Sequence, residues 1–175
     1  MKRLIIFLSL VSVGLGFSGC GYTTRSTLPS NLKTSHVLPF KNSVSYTSES
    51  GENIYLPRLE IDVRNKVIDR FLFDGALKIR DPQSADLVMS GELLSYQKSD
   101  LRTSENQDIE EYRIHITASI KVEDRVKNET RLTDTIVGEE TYFTTGPNAM
   151  SETAAVKKAI EDLATRIVER VVDDW

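Results

Sequence analysis

Cysteine occurs once and histidine twice in this chain of 175 residues. A lone cysteine cannot close an intramolecular disulfide, and two histidines leave little for a histidine-based metal site. Basic charge is also scarce: 22 Lys and Arg stand against 26 Asp and Glu, a formal charge of −4. That balance argues against a nucleic-acid binder, which shows a basic face or a high isoelectric point. The sequence contains no H-E-x-x-H, G-x-S-x-G, P-loop or C-x-x-C motif, so no standard catalytic or phosphate-cradling signature is present. The remaining composition, 39% hydrophobic and 27% charged, is ordinary for one globular domain and excludes both a disordered chain and a polytopic membrane protein.

The N-terminus is the most informative stretch. Lys2 and Arg3 precede an apolar run from Leu4 to Phe17, followed by the small residues Ser18 and Gly19. This is the layout of a secretory signal peptide. The run of 14 residues is short of the ~20 that span a bilayer as a helix. Gly14, Gly16 and Gly19 satisfy G-x-G-x-x-G. That fingerprint has meaning only between a strand and a helix, and here it falls in a segment expected to be removed. The signal closes on Phe-Ser-Gly-Cys and resembles the lipobox of bacterial lipoproteins, with Phe17 where Leu is more usual. The resemblance implies acylation of the Cys20 thiol and cleavage before it. Residues 1–19 then form the signal peptide, 20–32 a lipidated tether and 33–175 a single domain. Several acyl chains hold a protein stably at a membrane, whereas one does so only marginally. Gly21, where enteric sorting uses Asp for inner-membrane retention, points to the outer membrane. Without the signal, 20 basic and 26 acidic residues remain, a charge of −6.

The spacing of apolar residues predicts the domain. Thr34 to Lys41 reads as a first strand, with Pro39 marking an edge or an end. Residues 42–53 read as a polar loop. Leu56, Leu59, Val63, Val67 and Phe71 form one stripe of an amphipathic helix, with Pro57 in its first turn and Gly75 beyond its end. Strands follow at 76–80 and 86–96. Tyr112 to Val122 alternates apolar and polar residues six times over, the pattern of a half-buried antiparallel strand. A turn near Asn128 leads to a strand at 132–144, where Gly138 suggests a bulge. Ser151 is a plausible N-cap for a last helix striped by Val156, Ile160, Leu163, Ile167 and Val171. The expected fold is an α/β (α+β) sandwich, with two helices packed on one face of a four- to five-stranded mixed or antiparallel sheet.

Chemistry-bearing clusters are few. His36 and His115 read as solvated strand residues, because neither has convergent partners nearby in sequence. Glu110/Glu111 and Glu139/Glu140 are adjacent in strands and point to opposite faces, which does not suit paired acid–base work. Arg113 and Lys121 share the polar face of the alternating strand. They could contact lipid phosphates or a partner, or simply belong to a solvated face with interspersed Glu111 and Glu123. No catalytic residue, metal or cofactor is expected.

Taken together, these features resemble the LptE lipopolysaccharide-assembly lipoprotein family. The resemblance rests on Cys20-Gly21-Tyr22, Leu28-Pro29 with Leu32, and Val37, Pro39-Phe40 and Asn42. Ala85-Asp86, Gly91 and the C-terminal helix complete it. It implies a non-enzymatic protein, anchored by lipid on the periplasmic side of the outer membrane. It also implies that the protein plugs an LptD-type β-barrel, assists the barrel's assembly and binds lipopolysaccharide. Arg113 and Lys121 are then the candidate lipopolysaccharide contacts. A different class, an outer-membrane lipoprotein regulating a peptidoglycan synthase, needs a long tether. Here the first strand begins 14 residues after Cys20, a reach of at most ~50 Å.

Overall fold

The computed structural model describes residues 28–29, 31–44 and 55–173. The signal peptide, Cys20 and most of the tether lie outside them, as does much of the 42–53 loop.

The first strand is short because Pro39 interrupts it. β1 spans Thr34–Val37 and a two-residue β2 follows at Lys41–Asn42. The predicted stripe then forms α1, Leu59–Asp74, which buries Leu59, Val63, Val67 and Phe71. Each such side chain contributes roughly 1.5–3 kcal/mol when fully buried. Pro57 falls just outside the helix, and Gly75 closes it in the left-handed conformation (φ 78°), donating its N–H to the Phe71 carbonyl. Glycine takes that conformation without steric penalty. β3, Lys78–Ile79, returns parallel to β1.

Three long strands complete the sheet: β4 at Leu87–Thr103, β5 at Ile109–Asp124 and β6 at Glu129–Phe143. They form an antiparallel meander, and the order across the sheet is β3-β1-β4-β5-β6, with β2 also on β4. Asn128 makes the β5–β6 turn at positive φ (55°). The last helix, α2, spans Glu152–Asp173, and Ser151 caps it with its hydroxyl on the Ala154 N–H. The two helices run parallel, tied by Lys66–Glu161 at 2.6 Å and Arg70–Glu169 at 3.6 Å. Both cover one face of the mixed sheet, as expected, with β2 as a short sixth strand.

Three details differ from the sequence expectation. β4 continues seven residues past Tyr96, where Leu101 is the one apolar residue and no alternation betrays the strand. The pairing irregularities lie in β4 at Leu94 and again between Asp100 and Thr103, and in β6 at Arg131, not at Gly138. Gly138 pairs regularly with Ile116 and serves a different purpose: α2 packs its backbone directly on it. The approach is made by Ala159 and Leu163, and Ala155, one turn before Ala159, is buried as well.

At the start of α2 a small cluster joins the layers. Lys98 of β4 meets Glu152 at 2.6 Å and lies 4.1 Å from the centre of the Tyr112 ring, which stacks on Tyr142. Burial opposes the Lys98 charge, but the hydrogen bond and charge of Glu152 prevail and hold its pKa above the ordinary value. Tyr96, beneath them, has a buried hydroxyl with no hydrogen-bond partner. Burial first, and then the Glu152 charge, push this hydroxyl up to about 12. A raised phenol pKa means stability that is present below the ordinary value of 10.0 and lost as pH rises towards 12. Tyr96→Phe removes an unsatisfied group, so it is expected to leave stability at pH 7 unchanged or up to ~1 kcal/mol higher. It should also flatten the loss above pH 10. Urea melts at pH 7 and pH 11 check both, and a clear destabilisation at pH 7 would contradict the assignment.

Candidate functional surface

Alternation along β4, β5 and β6 sends every second side chain away from the helices. The face so produced is covered by no element among the described residues. It carries Arg113, His115, Thr117, Ser119, Lys121 and Glu123 from β5. Thr133, Thr135, Val137, Glu139 and Thr141 of β6 lie opposite them. The first irregularity in β4 adds Leu94, 40% exposed, beside the Ser95–Thr117 pair. The surface is therefore a hydroxyl-rich sheet with charged side chains and a small apolar spot of Leu94 and Val137.

Arg113 and Lys121 both stand on this face, as the alternation predicts, but they do not converge. Eight residues of strand separate them, about 27 Å. Lys121 holds Glu123 at 2.7 Å, and that hydrogen bond and charge keep the Glu123 carboxyl below its ordinary pKa. Arg113, opposite Ser99 and Thr141, has no ion pair among the described residues, and its buried Nε lacks a hydrogen-bond partner. His115 lies between them, its Nε2 3.0 Å from Glu139. His36 sits on the same side of β1, its Nδ1 2.7 Å from the Arg80 carbonyl oxygen.

Around Lys121 the face sinks into a hollow of about 280 Å³ lined by Lys41, Ser90, Glu92, Ser119 and Thr133. Lys41 carries no local signal of this role, because β2 places it beside Glu92, some fifty residues further along the chain. Two ammonium groups and three hydroxyls at one hollow can receive an anionic oxygen, although Glu92 tempers the field. Among the described residues no group of three His, Cys, Asp or Glu side chains could hold a metal ion. None of their helices is long and apolar enough to cross a membrane, which says nothing of strands.

The family comparison meets this fold at its first buried residue. The model of the lipopolysaccharide-assembly family LptE matches residues 32–175. The chain belongs to the LptE family. No curated protein matches it in sequence. Among solved structures it is similar to protein XCC0632 from Xanthomonas campestris, at 13% identity and a TM-score of 0.56, covering 84% of this chain and 85% of that one. It is also similar to the hypothetical protein CT253 from Chlamydia trachomatis, at 15% identity and a TM-score of 0.55, covering 80% and 95%. PelC from Paraburkholderia phytofirmans, solved as a dodecamer, matches at 12% identity and 0.51, covering 85% and 95%. At these identities the likeness is one of fold.

The residues that carried the LptE resemblance build the fold. Leu32 is buried, the Phe40 ring occupies the space a side chain at Gly91 would need, and Asp86 fastens the start of β1 to β4. Cys20 and Gly21 lie outside the described residues.

Proposed function

We propose that this LptE-family chain is an outer-membrane lipoprotein, acylated on Cys20 and held on the periplasmic side. We further propose that it seats in an LptD-type β-barrel and assists lipopolysaccharide assembly at the cell surface. The observation that carries this reading is the family match over the whole domain, preceded in sequence by a lipobox. The open sheet face supports it. A plug in a barrel meets a polar, water-containing wall, and a face rich in Ser, Thr and charged side chains exchanges hydrogen bonds with such a wall directly or through water. The role is one of binding and positioning, with no chemical step. Arg113 and Lys121 are candidate contacts for the anionic headgroup, Lys41 joining Lys121 at its hollow. At their separation they serve two contact points and not one. The short tether favours work close to the membrane over regulation of a peptidoglycan synthase.

Affinity purification of the tagged, full-length protein from membranes tests the reading. A large β-barrel is expected to co-purify, and depletion should lower surface lipopolysaccharide. Absence of the barrel together with normal surface lipopolysaccharide would overturn it. Cys20→Ala should move the protein from the detergent phase to the aqueous phase, and unchanged partition would refute the anchor alone.

A further inference from the structure

The parallel pairing of β1 with β3 and β4 sets the polarity of the domain. β1, β3 and β4 all start at one end. α1 runs the opposite way, with Glu60 near Asn42 and Arg64 on the Val37 carbonyl, so its C-terminus returns to that same end. The β5–β6 turn lies there too, since the Arg125 N–H bonds the Asp86 carbonyl at 2.8 Å. The chain from Cys20 also arrives at this end: Leu28 packs against the core, Leu32 is buried, and the Lys33 carbonyl takes the Lys78 N–H.

The three most exposed large apolar side chains among the described residues lie at this end. Phe73 is 80% exposed, Leu72 62% and Val126 59%. Phe73 and Leu72 occupy the last turn of α1, and Val126 the β5–β6 turn. Isolated exposed apolar residues need no explanation, but a concentration at one end marks a contact surface. The length of chain before the domain names the occupant. Eight residues separate Cys20 from Leu28, at most ~29 Å fully extended. The strands run for about 55 Å at ~3.3 Å per residue. An acylated Cys20 therefore keeps this end, and not the opposite end with the β4–β5 turn, near the bilayer.

We propose that Leu72, Phe73 and Val126 enter the lipid–water interface of the membrane to which the chain is anchored, making a second contact beside the acyl chains. The proposal rests on the reading of Cys20 as the lipidation site and not on the barrel. Aromatic and aliphatic tips settle at the headgroup boundary, and neighbouring Lys and Arg side chains keep their charges in the polar layer. Arg70 lies 5.3 Å from the Phe73 ring centre, and Lys33, Lys78 and Lys127 stand at the same end of the domain. Asp74 and Glu129 oppose them, as do Glu169, 3.6 Å from Arg70, and Asp173 at the end of the parallel helix α2, so insertion and tethering hold the end at the membrane without help from charge.

The test uses the full-length acylated protein with Phe73→Trp in a Trp175→Phe background, which leaves one tryptophan. It is reconstituted in phosphatidylethanolamine–phosphatidylglycerol vesicles with brominated acyl chains. Co-flotation reports the anchor, and the tryptophan reports the tip. The expected result is a blue-shifted emission quenched by bromine, with iodide quenching several-fold weaker than in the Cys20→Ala protein in solution. Val126→Trp is a second reporter of the same end. Ile61→Trp, in the first turn of α1, should stay open to iodide. Failure to co-float overturns the anchor, and the tip with it. Co-flotation with the residue 73 reporter as open to iodide as in solution overturns the tip alone. So does equal shielding at positions 61 and 73, or shielding that arises only when a barrel protein is added.

Discussion

Gly138→Ala is expected to destabilise the domain by roughly 1–3 kcal/mol, and Gly138→Val by more. A side chain there would begin 2.6 Å from both the Ala159 carbonyl oxygen and the Leu163 Cα, and closer still to the Leu163 Cβ. Two of these three atoms are backbone of α2. Truncating Leu163 therefore cannot make room, and the helix must lift from β6. Lifting would strain the layer that buries Leu163, Ile167 and Val171. Gly91 offers a contrast within the same protein. Its missing side chain is replaced by the ring of Phe40, which is all side chain. Gly91→Ala should therefore be relieved by Phe40→Leu, with a favourable coupling of ~0.5–3 kcal/mol. Gly138→Ala with Leu163→Ala should show no such relief. Urea melts of the four single and two double variants decide the matter. A Gly138→Ala protein as stable as the parent would show that α2 does not bear on this glycine.

The contrast also explains how much of the fold was legible in sequence. Period-two alternation in β5 and the stripes of α1 and α2 are local signals, so a single sequence displays them. A glycine held open for a helix twenty-five residues later carries no local mark, and Gly138 reads equally well as a bulge. The buried alanines of α2 carry no local signal for the same reason. A stripe search weights large apolar residues, whereas close approach of a helix to a sheet selects small ones. The polar end of β4 is silent in sequence for another cause. Its strand state comes from pairing with β5 and not from burial, so its side chains have no reason to alternate.

The candidate surface divides along the same line. Arg113 and Lys121 were found because β5 alternates, and the sequence spacing placed them on one face. Their separation was implicit in that spacing, eight residues at about 3.4 Å each. Lys41 was not legible, because it reaches the Lys121 hollow only through the β2–β4 pairing. The exposed tip of Leu72, Phe73 and Val126 depends on topology alone. Nothing in the sequence brings the end of α1, the β5–β6 turn and the tether to one end until the parallel β1–β3 and β1–β4 pairings do so.

Asp86→Ala is expected to loosen the strand that receives the tether. Asp86 Oδ2 accepts from the Lys33 N–H at 3.0 Å, the Thr34 N–H at 3.0 Å and the Thr34 hydroxyl at 2.8 Å. Its own N–H donates back to the Thr34 hydroxyl oxygen at 2.9 Å. Alanine orphans the three donors and should cost roughly 1–3 kcal/mol. Asparagine keeps an acceptor oxygen and should cost less. The Lys33 N–H outweighs burial and, with the Thr34 hydroxyl and N–H, holds the Asp86 carboxyl below its ordinary 3.8. A depressed carboxylate pKa gives stability that is present above 3.8 and lost as pH falls through the folded value. The penalty of Asp86→Asn should therefore be largest near neutral pH and shrink below pH 4; a penalty constant from pH 7 to pH 3 would refute the assignment. The damage should also be local, since β1 joins the sheet through β3 and β4 whereas β4, β5 and β6 support one another. Amide exchange in Asp86→Ala should accelerate at β1 well before β5. If the chain is anchored through Cys20 as proposed, a pull on it would load Leu28, Leu32 and then this joint, and the carboxylate would secure the first strand of the sheet against it.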